Sequence, residues 1–162
     1  MLSVLTRIVS GGQTGVDRGA LDAAMELGFP CGGWCPEGRQ AEDGVIPARY
    51  PVVVLAGAGY RQRTRQNVED SDATLILAPG ELTGGTALTQ RFCEGLGKPC
   101  LAVDAAVMSV EQAARGVAEW TKQHPITVVN VAGPRASGWS EGAAYAHAVV
   151  AAVLREARRA SA

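Results

Sequence analysis

Apolar runs of β character alternate with amphipathic stretches along the whole chain, and that alternation leaves few folds open. Val4 to Val9 reads as a strand closed by the turn Ser10-Gly11-Gly12. Val16 to Leu27 then sets Val16, Ala20, Leu21, Ala24 and Met25 on one helical face, with Gly28 as a stop. Phe29–Trp34 reads as extended, Pro36–Pro47 as a charged loop, Pro51–Leu55 as a strand and Arg61–Asp70 as a polar helix. Ala73–Ala78 is continuously apolar between Asp72 and Pro79, the pattern of a strand buried on both faces. A helix over Gly84–Leu96, a strand over Cys100–Val103, a helix capped by Ser109 and running to about Gln123, a strand over Ile126–Val131 and an Ala-rich helix over Trp139–Arg158 complete the series. Strand and helix in strict alternation predict an α/β fold: a doubly wound, mostly parallel sheet with helices on both faces. In such a sheet ligands bind where the strands end, so the loops after strands 4–9, 73–78 and 126–131 are expected along one edge.

The chain has 162 residues, which predicts a single domain spanning 1–162 with room for a real core. Its 15 basic and 16 acidic residues leave a net charge of −1, without the basic footprint that nucleic acid or an anionic membrane surface demands. No apolar stretch approaches the ~20 residues of a membrane span, and Met1–Leu5 lacks the build of a signal peptide, so a cytoplasmic location is expected. Cys31 and Cys35 have a C-x3-C spacing, but Cys93 and Cys100 are too widely spaced for an ordinary structural zinc site; reduced, buried thiols and no metal are expected. His124 and His147 neighbour no nucleophile, and no catalytic residue is assigned.

Two glycine-rich loops carry the chemistry. In the first, Ser10-Gly11-Gly12-Gln13-Thr14-Gly15-Val16-Asp17 joins a strand to a helix. Glycine lets a ligand approach the backbone, and a helix N-terminus favours an anion. The spacing is neither a dinucleotide fingerprint nor a lysine-bearing NTPase loop. The second, Gly80-Glu81-Leu82-Thr83-Gly84-Gly85-Thr86, repeats the arrangement after Ala73–Ala78. The candidate binding residues are therefore Gly11, Gly12, Gln13, Thr14, Gly15, Asp17, Gly84, Gly85 and Thr86. Arg63 joins them as the arginine expected to reach a phosphate from the helix between the loops. Asp17 suits either a helix cap or a partner for ligand hydroxyls or a metal. Trp34, in Gly33-Trp34-Cys35-Pro36-Glu37-Gly38-Arg39, is either part of a plain connection or a stacking partner for a flat ring.

These blocks, with Ala41-Glu42-Asp43-Gly44, Asn67–Asp72 and Asn130-Val131-Ala132-Gly133-Pro134-Arg135, together resemble the molybdenum cofactor carrier family over most of residues 8–139. The resemblance implies a Rossmann-like fold related to the lysine decarboxylase-like phosphoribohydrolases and nucleotide-sensing domains. It also implies a homo-oligomer, and a phosphorylated molybdopterin or otherwise a nucleotide as ligand. The phosphoribohydrolases resemble P-G-G-x-G-T-x-x-E; here Thr89 stands where their glutamate would, which argues against that hydrolysis, although Glu81 offers a carboxylate from another direction. A non-catalytic carrier is the expectation, with a nucleotide-processing enzyme or a nucleotide-sensing domain as alternatives. The Ala- and Val-rich helix over Trp139–Arg158, apolar nearly all round, adds an expectation of its own: a partner copy covering the face the sheet leaves free.

Overall fold

Six parallel strands run through the centre of the molecule. In the computed structural model, which describes residues 4–162, the chain forms β1 (Arg7–Val9), α1 (Val16–Glu26), β2 (Cys31–Cys35) and a 3-10 turn (Glu37–Arg39). Then come β3 (Gln40–Ala41), β4 (Gly44–Val45), β5 (Val52–Val54), α2 (Tyr60–Glu69), β6 (Ala73–Ala78) and α3 (Gly84–Leu96). The rest is β7 (Cys100–Asp104), α4 (Val110–Gln123), β8 (Val128–Ala132) and α5 (Gly142–Ser161). The sheet order is β5-β2-β1-β8-β6-β7, while β3 and β4 form a small separate hairpin inside the stretch read as a loop. Every pairing in the large sheet is parallel.

Helices cover both faces, as the doubly wound, Rossmann-like reading requires. On β6, Ala73, Leu75 and Leu77 enter the main core with residues of α1, α4 and α5. The alternate residues Thr74 and Ile76 are buried on the other side, where α2 packs against α3. All six residues of β6 are buried, which is why its run is apolar without a break. The cysteine pairs stand on distant parts of this frame, Cys31 and Cys35 on β2, Cys93 and Cys100 on α3 and β7. Among the described residues no helix is long and apolar enough to cross a membrane.

The last helix corrects one argument from sequence. α5 begins at Gly142, and Trp139 stands in the turn before it, its N–H donating to Arg135 O at 3.0 Å. Its broad apolar girth is real, but α1 and α4 flank it and the sheet lies beneath. Val150, in the middle of this helix, is 2% exposed within this chain alone. α1 and α5 approach so closely that a Cβ on Gly19 would overlap the carbonyl oxygen of Ala143.

At the opposite edge from the glycine loops, Asp72 locks β6 to β8. Its Oδ2 accepts the N–H groups of Thr127 and Val128 at 3.0 and 2.9 Å and the Thr127 hydroxyl at 3.0 Å. Partial burial pushes this carboxyl up, but the Val128 and Thr127 donors outweigh it and hold it below the ordinary 3.8.

Two outcomes follow. Because the folded state depresses the Asp72 pKa, its contribution is present above the ordinary carboxylate range and is lost as pH falls through the lower folded value. Asp72→Asn will therefore lower the melting temperature at pH 7, and the difference between the thermal melts of the two proteins will shrink as pH falls through and below the ordinary carboxylate range. Val150→Glu places a charge inside the helix layer and will cost about 3 kcal/mol or more in urea unfolding; a variant as stable as the parent would place that face in solvent.

Candidate functional site

The carboxyl ends of β1, β8 and β6 lie side by side, and their loops enclose a cavity of about 520 Å³ with the N-terminal half of α2 as its fourth wall. This is the edge anticipated from the three strand-ending loops. The space suits a mononucleotide-sized molecule.

The first loop divides its residues between wall and frame. Gly11, Gln13 and Asp17 line the cavity. Gly12, Thr14 and Gly15 do not. Gly12, at φ +78, packs towards Ile46 and Val52. Gly15, at φ +83, leaves no space for a side chain because Pro134 O and Ala136 N would stand 2.6 and 2.8 Å from its Cβ. The Thr14 hydroxyl bonds Glu42 and accepts the Ala136 N–H at 3.1 Å. The N-terminus of α1, expected to face a phosphate, meets the chain's own acceptors: the Val16 N–H reaches Pro134 O at 3.4 Å, and Asp17 Oδ2 accepts the Gln13 N–H at 3.2 Å.

The second loop leaves its helix end open. Thr83, the N-cap of α3, makes no side-chain cap hydrogen bond. Gly85 and Thr86 line the cavity; Gly84 stands just outside its wall. Gly84 and Gly85 are both exposed, and a Cβ on either would meet nothing within 4 Å. Glycine here exposes the first N–H groups of the helix instead of resolving a clash. Thr89 lines the cavity too, but its hydroxyl is turned back onto Gly85 O at 2.9 Å.

Arg63 reaches across from α2 to the first loop. Its Nη1 lies 3.8 Å from Asp17 Oδ2, and a Cβ on Gly11 would overlap that same nitrogen. So Gly11 is a glycine because a guanidinium passes over it. Arg63 is 8% exposed and its Nε has no hydrogen-bond partner; Gln13, at 4%, has an unpartnered Oε1. Burial raises the Asp17 pKa, against the pull of Arg63, and burial lowers that of Arg63, against the pull of Asp17. The Gln13 amide is oriented by its Nε2, which donates to Gln40 O at 2.9 Å.

Several wall residues lay outside the sequence-based set. Tyr60 opens α2 with guanidinium carbons on its ring, Arg135 at 4.7 Å and Arg63 at 5.6 Å. Asn130 and the turn Gly133–Arg135 close the side below β8. The rule that placed the loop after strand 126–131 on this edge held their signal. Trp34 belongs to the frame: its indole N–H donates to Asp70 at 2.7 Å and its backbone is held by Asn67. The tip of the β3–β4 hairpin fastens the first loop to the third. Glu42 accepts the Ser137 hydroxyl at 2.5 Å and the Thr14 hydroxyl, which hold its carboxyl below the usual range, and Asp43 takes Arg18 in a two-point ion pair at 2.6 and 2.9 Å.

A crystal structure of a "putative molybdenum carrier protein" from Syntrophus aciditrophicus SB superimposes with a TM-score of 0.91 at 44% identity, over 95% of this chain and 98% of that one. No curated protein matches the sequence. The model of the circularly permutated YpsA SLOG family matches residues 8–154, nearly the whole sheet and every wall of the cavity, and the chain belongs to that family.

Proposed function

We propose that this protein is a non-catalytic carrier of a phosphorylated small molecule, a molybdopterin or a nucleotide. The observation that carries the reading is the open N-terminus of α3, with Gly84 and Gly85 bare, beside a cavity that also holds Arg63 and Arg135. A phosphate at the helix end gains backbone N–H donors, and Arg135, exposed near the mouth, adds a cation. Arg63 contributes positive potential from the inner wall. The name of the 44%-identical relative supports a molybdenum-related cargo. The residues present suit such a cargo: an open helix end for its phosphate, and the polar residues Gln13, Asp17 and Arg63 along the inner wall beside its ring. In this reading Gly11, Gln13, Asp17, Arg63, Gly84, Gly85 and Thr86 touch or closely border the ligand, while Gly12, Thr14 and Gly15 hold the loop that presents them.

Gly85→Val tests the helix end. A Cβ there meets no protein atom within 4 Å, so the fold is expected to survive while the added bulk covers the N–H groups. Calorimetry with molybdopterin and with nucleoside monophosphates will show affinity falling roughly tenfold or more, the size of a charge-assisted hydrogen bond. Unchanged affinity removes α3 from the site. Gly12→Val is a poor companion, because φ +78 strains any side chain.

The enzyme alternative keeps one observation in its favour, Glu81 on the cavity wall. Against it, α3 brings no carboxylate to the cavity, only the hydroxyls of Thr86 and of the back-bonded Thr89. Long incubation with GMP will release no free guanine by chromatography. Release that Glu81→Gln abolishes would replace the carrier reading with a hydrolase.

A further inference from the structure

Two thiols meet beneath α3, outside the cavity. On the buried face of that helix Cys93 follows Thr86 and Thr89, and it is fully buried. Cys100 opens β7 opposite Thr74 of β6 in the parallel register, so the side chains of the two stand on the same face of the sheet. The Cys93 sulfur takes hydrogen bonds from the Cys100 thiol and from the Thr74 hydroxyl. Thr74 Oγ1 already accepts Asn130 Nδ2 at 3.3 Å, and its one proton is left for the sulfur. The turn that joins the cysteines is fixed in place. Gly97 takes φ +65, the Lys98 N–H donates to Cys93 O at 2.9 Å, and Lys98 Nζ donates to Glu69 O and Ser71 O at 3.1 and 2.9 Å. Pro99 O accepts the Thr74 N–H at 3.0 Å. The backbone that carries both thiols is therefore anchored before any bond joins them.

The Cys100 S–H and the Thr74 hydroxyl bring the Cys93 thiol down to about 7, against its burial and the Glu94 carboxylate, and the same contact pushes Cys100 up. Near neutral pH the two sulfurs thus hold one proton between them. Cys31 and Cys35 differ, since burial pushes both of those thiols up. Cys100 is half-buried on an edge strand and is the member of the pair that solvent reaches. We propose that Cys93 and Cys100 form a redox-active dithiol site, which a hydroperoxide converts to an intramolecular disulfide. The Cys100 sulfur attacks one peroxide oxygen while its proton passes to the Cys93 thiolate. The O–O bond breaks, hydroxide leaves, and Cys100 becomes a sulfenic acid. The Cys93 sulfur then attacks the Cys100 sulfur; the S–OH bond breaks, and the departing hydroxide takes the Cys93 proton to become water. Together the sulfurs lose two electrons, and the peroxide gains them. Nothing in the cavity takes part.

The test treats the full chain with hydrogen peroxide and then with dithiothreitol. Counted in denaturant, the free thiols will fall from four to two and return to four on reduction. Cleavage after glutamate separates the two cysteines, into Leu82–Glu94 and Gly95–Glu111. From the oxidised monomer these peptides will emerge joined, two hydrogens lighter than their sum. Cys100→Ser will give no joined peptide, and Cys100→Ala is the second variant should that one not fold. Thr74→Val keeps the shape of the strand but removes the hydroxyl donor; at pH 7 it will slow disulfide formation roughly fivefold or more, as loss of a hydrogen bond to a charged group implies. Thr74→Ser, which keeps the hydroxyl, will oxidise at close to the parent's rate. Four thiols surviving peroxide, oxidation confined to Cys31 or Cys35, peptides joined only between two copies, or a dithiothreitol-resistant sulfinic acid at Cys100 each overturn the dithiol site. A folded Thr74→Val that oxidises as fast as the parent overturns the part assigned to Thr74.

Discussion

The last strand of the chain lies in the middle of its sheet. β8 pairs with β1 on one side, Arg7 against Val128, and with β6 on the other, Ala73 against Val129. Everything else is arranged around that insertion. It brings the loop after β8 between the two glycine loops, so that Pro134 O meets the start of α1 and Gly133 lies against Leu77 O. It also requires a device to hold the strand's entry, and Asp72 supplies it with three donors from Thr127 and Val128. The closure comes late in sequence, and contacts of such separation are slow to form. The cavity cannot exist before it.

Much of this was legible in the residues. β6 and α3 have the bounds read from an unbroken apolar run and from the glycine pair opening a helix. Ser109 caps α4 as expected, its hydroxyl accepting the Gln112 N–H at 3.2 Å. The edge that carries the cavity followed from strand–helix alternation. Other features were hidden because one sequence pattern has two physical causes. A glycine that borders an open cavity and one that clears room for the protein look alike, so Gly12 and Gly15 could not be told from Gly85. A helix apolar all round announces burial on several sides but does not say that α1 and α4 supply the cover. Tyr60 with its two guanidiniums joins segments far apart in sequence, and no local spacing encodes that meeting.

The site itself is a contrast of depth. At the mouth, Gly84, Gly85 and Arg135 are exposed, and the helix end and the cation there both favour negative charge. At the inner wall, Arg63, Asp17 and Gln13 are nearly dry, so their hydrogen bonds count for more and their orphans weigh more heavily. The β3–β4 hairpin bridges the two zones from outside, since Glu42 ties Thr14 of the first loop to Ser137 of the third. A change in that tie would move the walls relative to each other without touching any group inside.

The empty place above Gly11 has a consequence for how sequences of this family can drift. Arg63 lies where the missing Cβ would be, so the two positions form one steric unit although they come from different elements. A side chain cannot enter at 11 while the guanidinium is present. Loss of the guanidinium would open a void beside the Asp17 carboxylate and strand that charge in a dry wall. A relative that loses Arg63 must therefore also neutralise or re-pair position 17, whereas position 11 gains room for a side chain only once the guanidinium has gone.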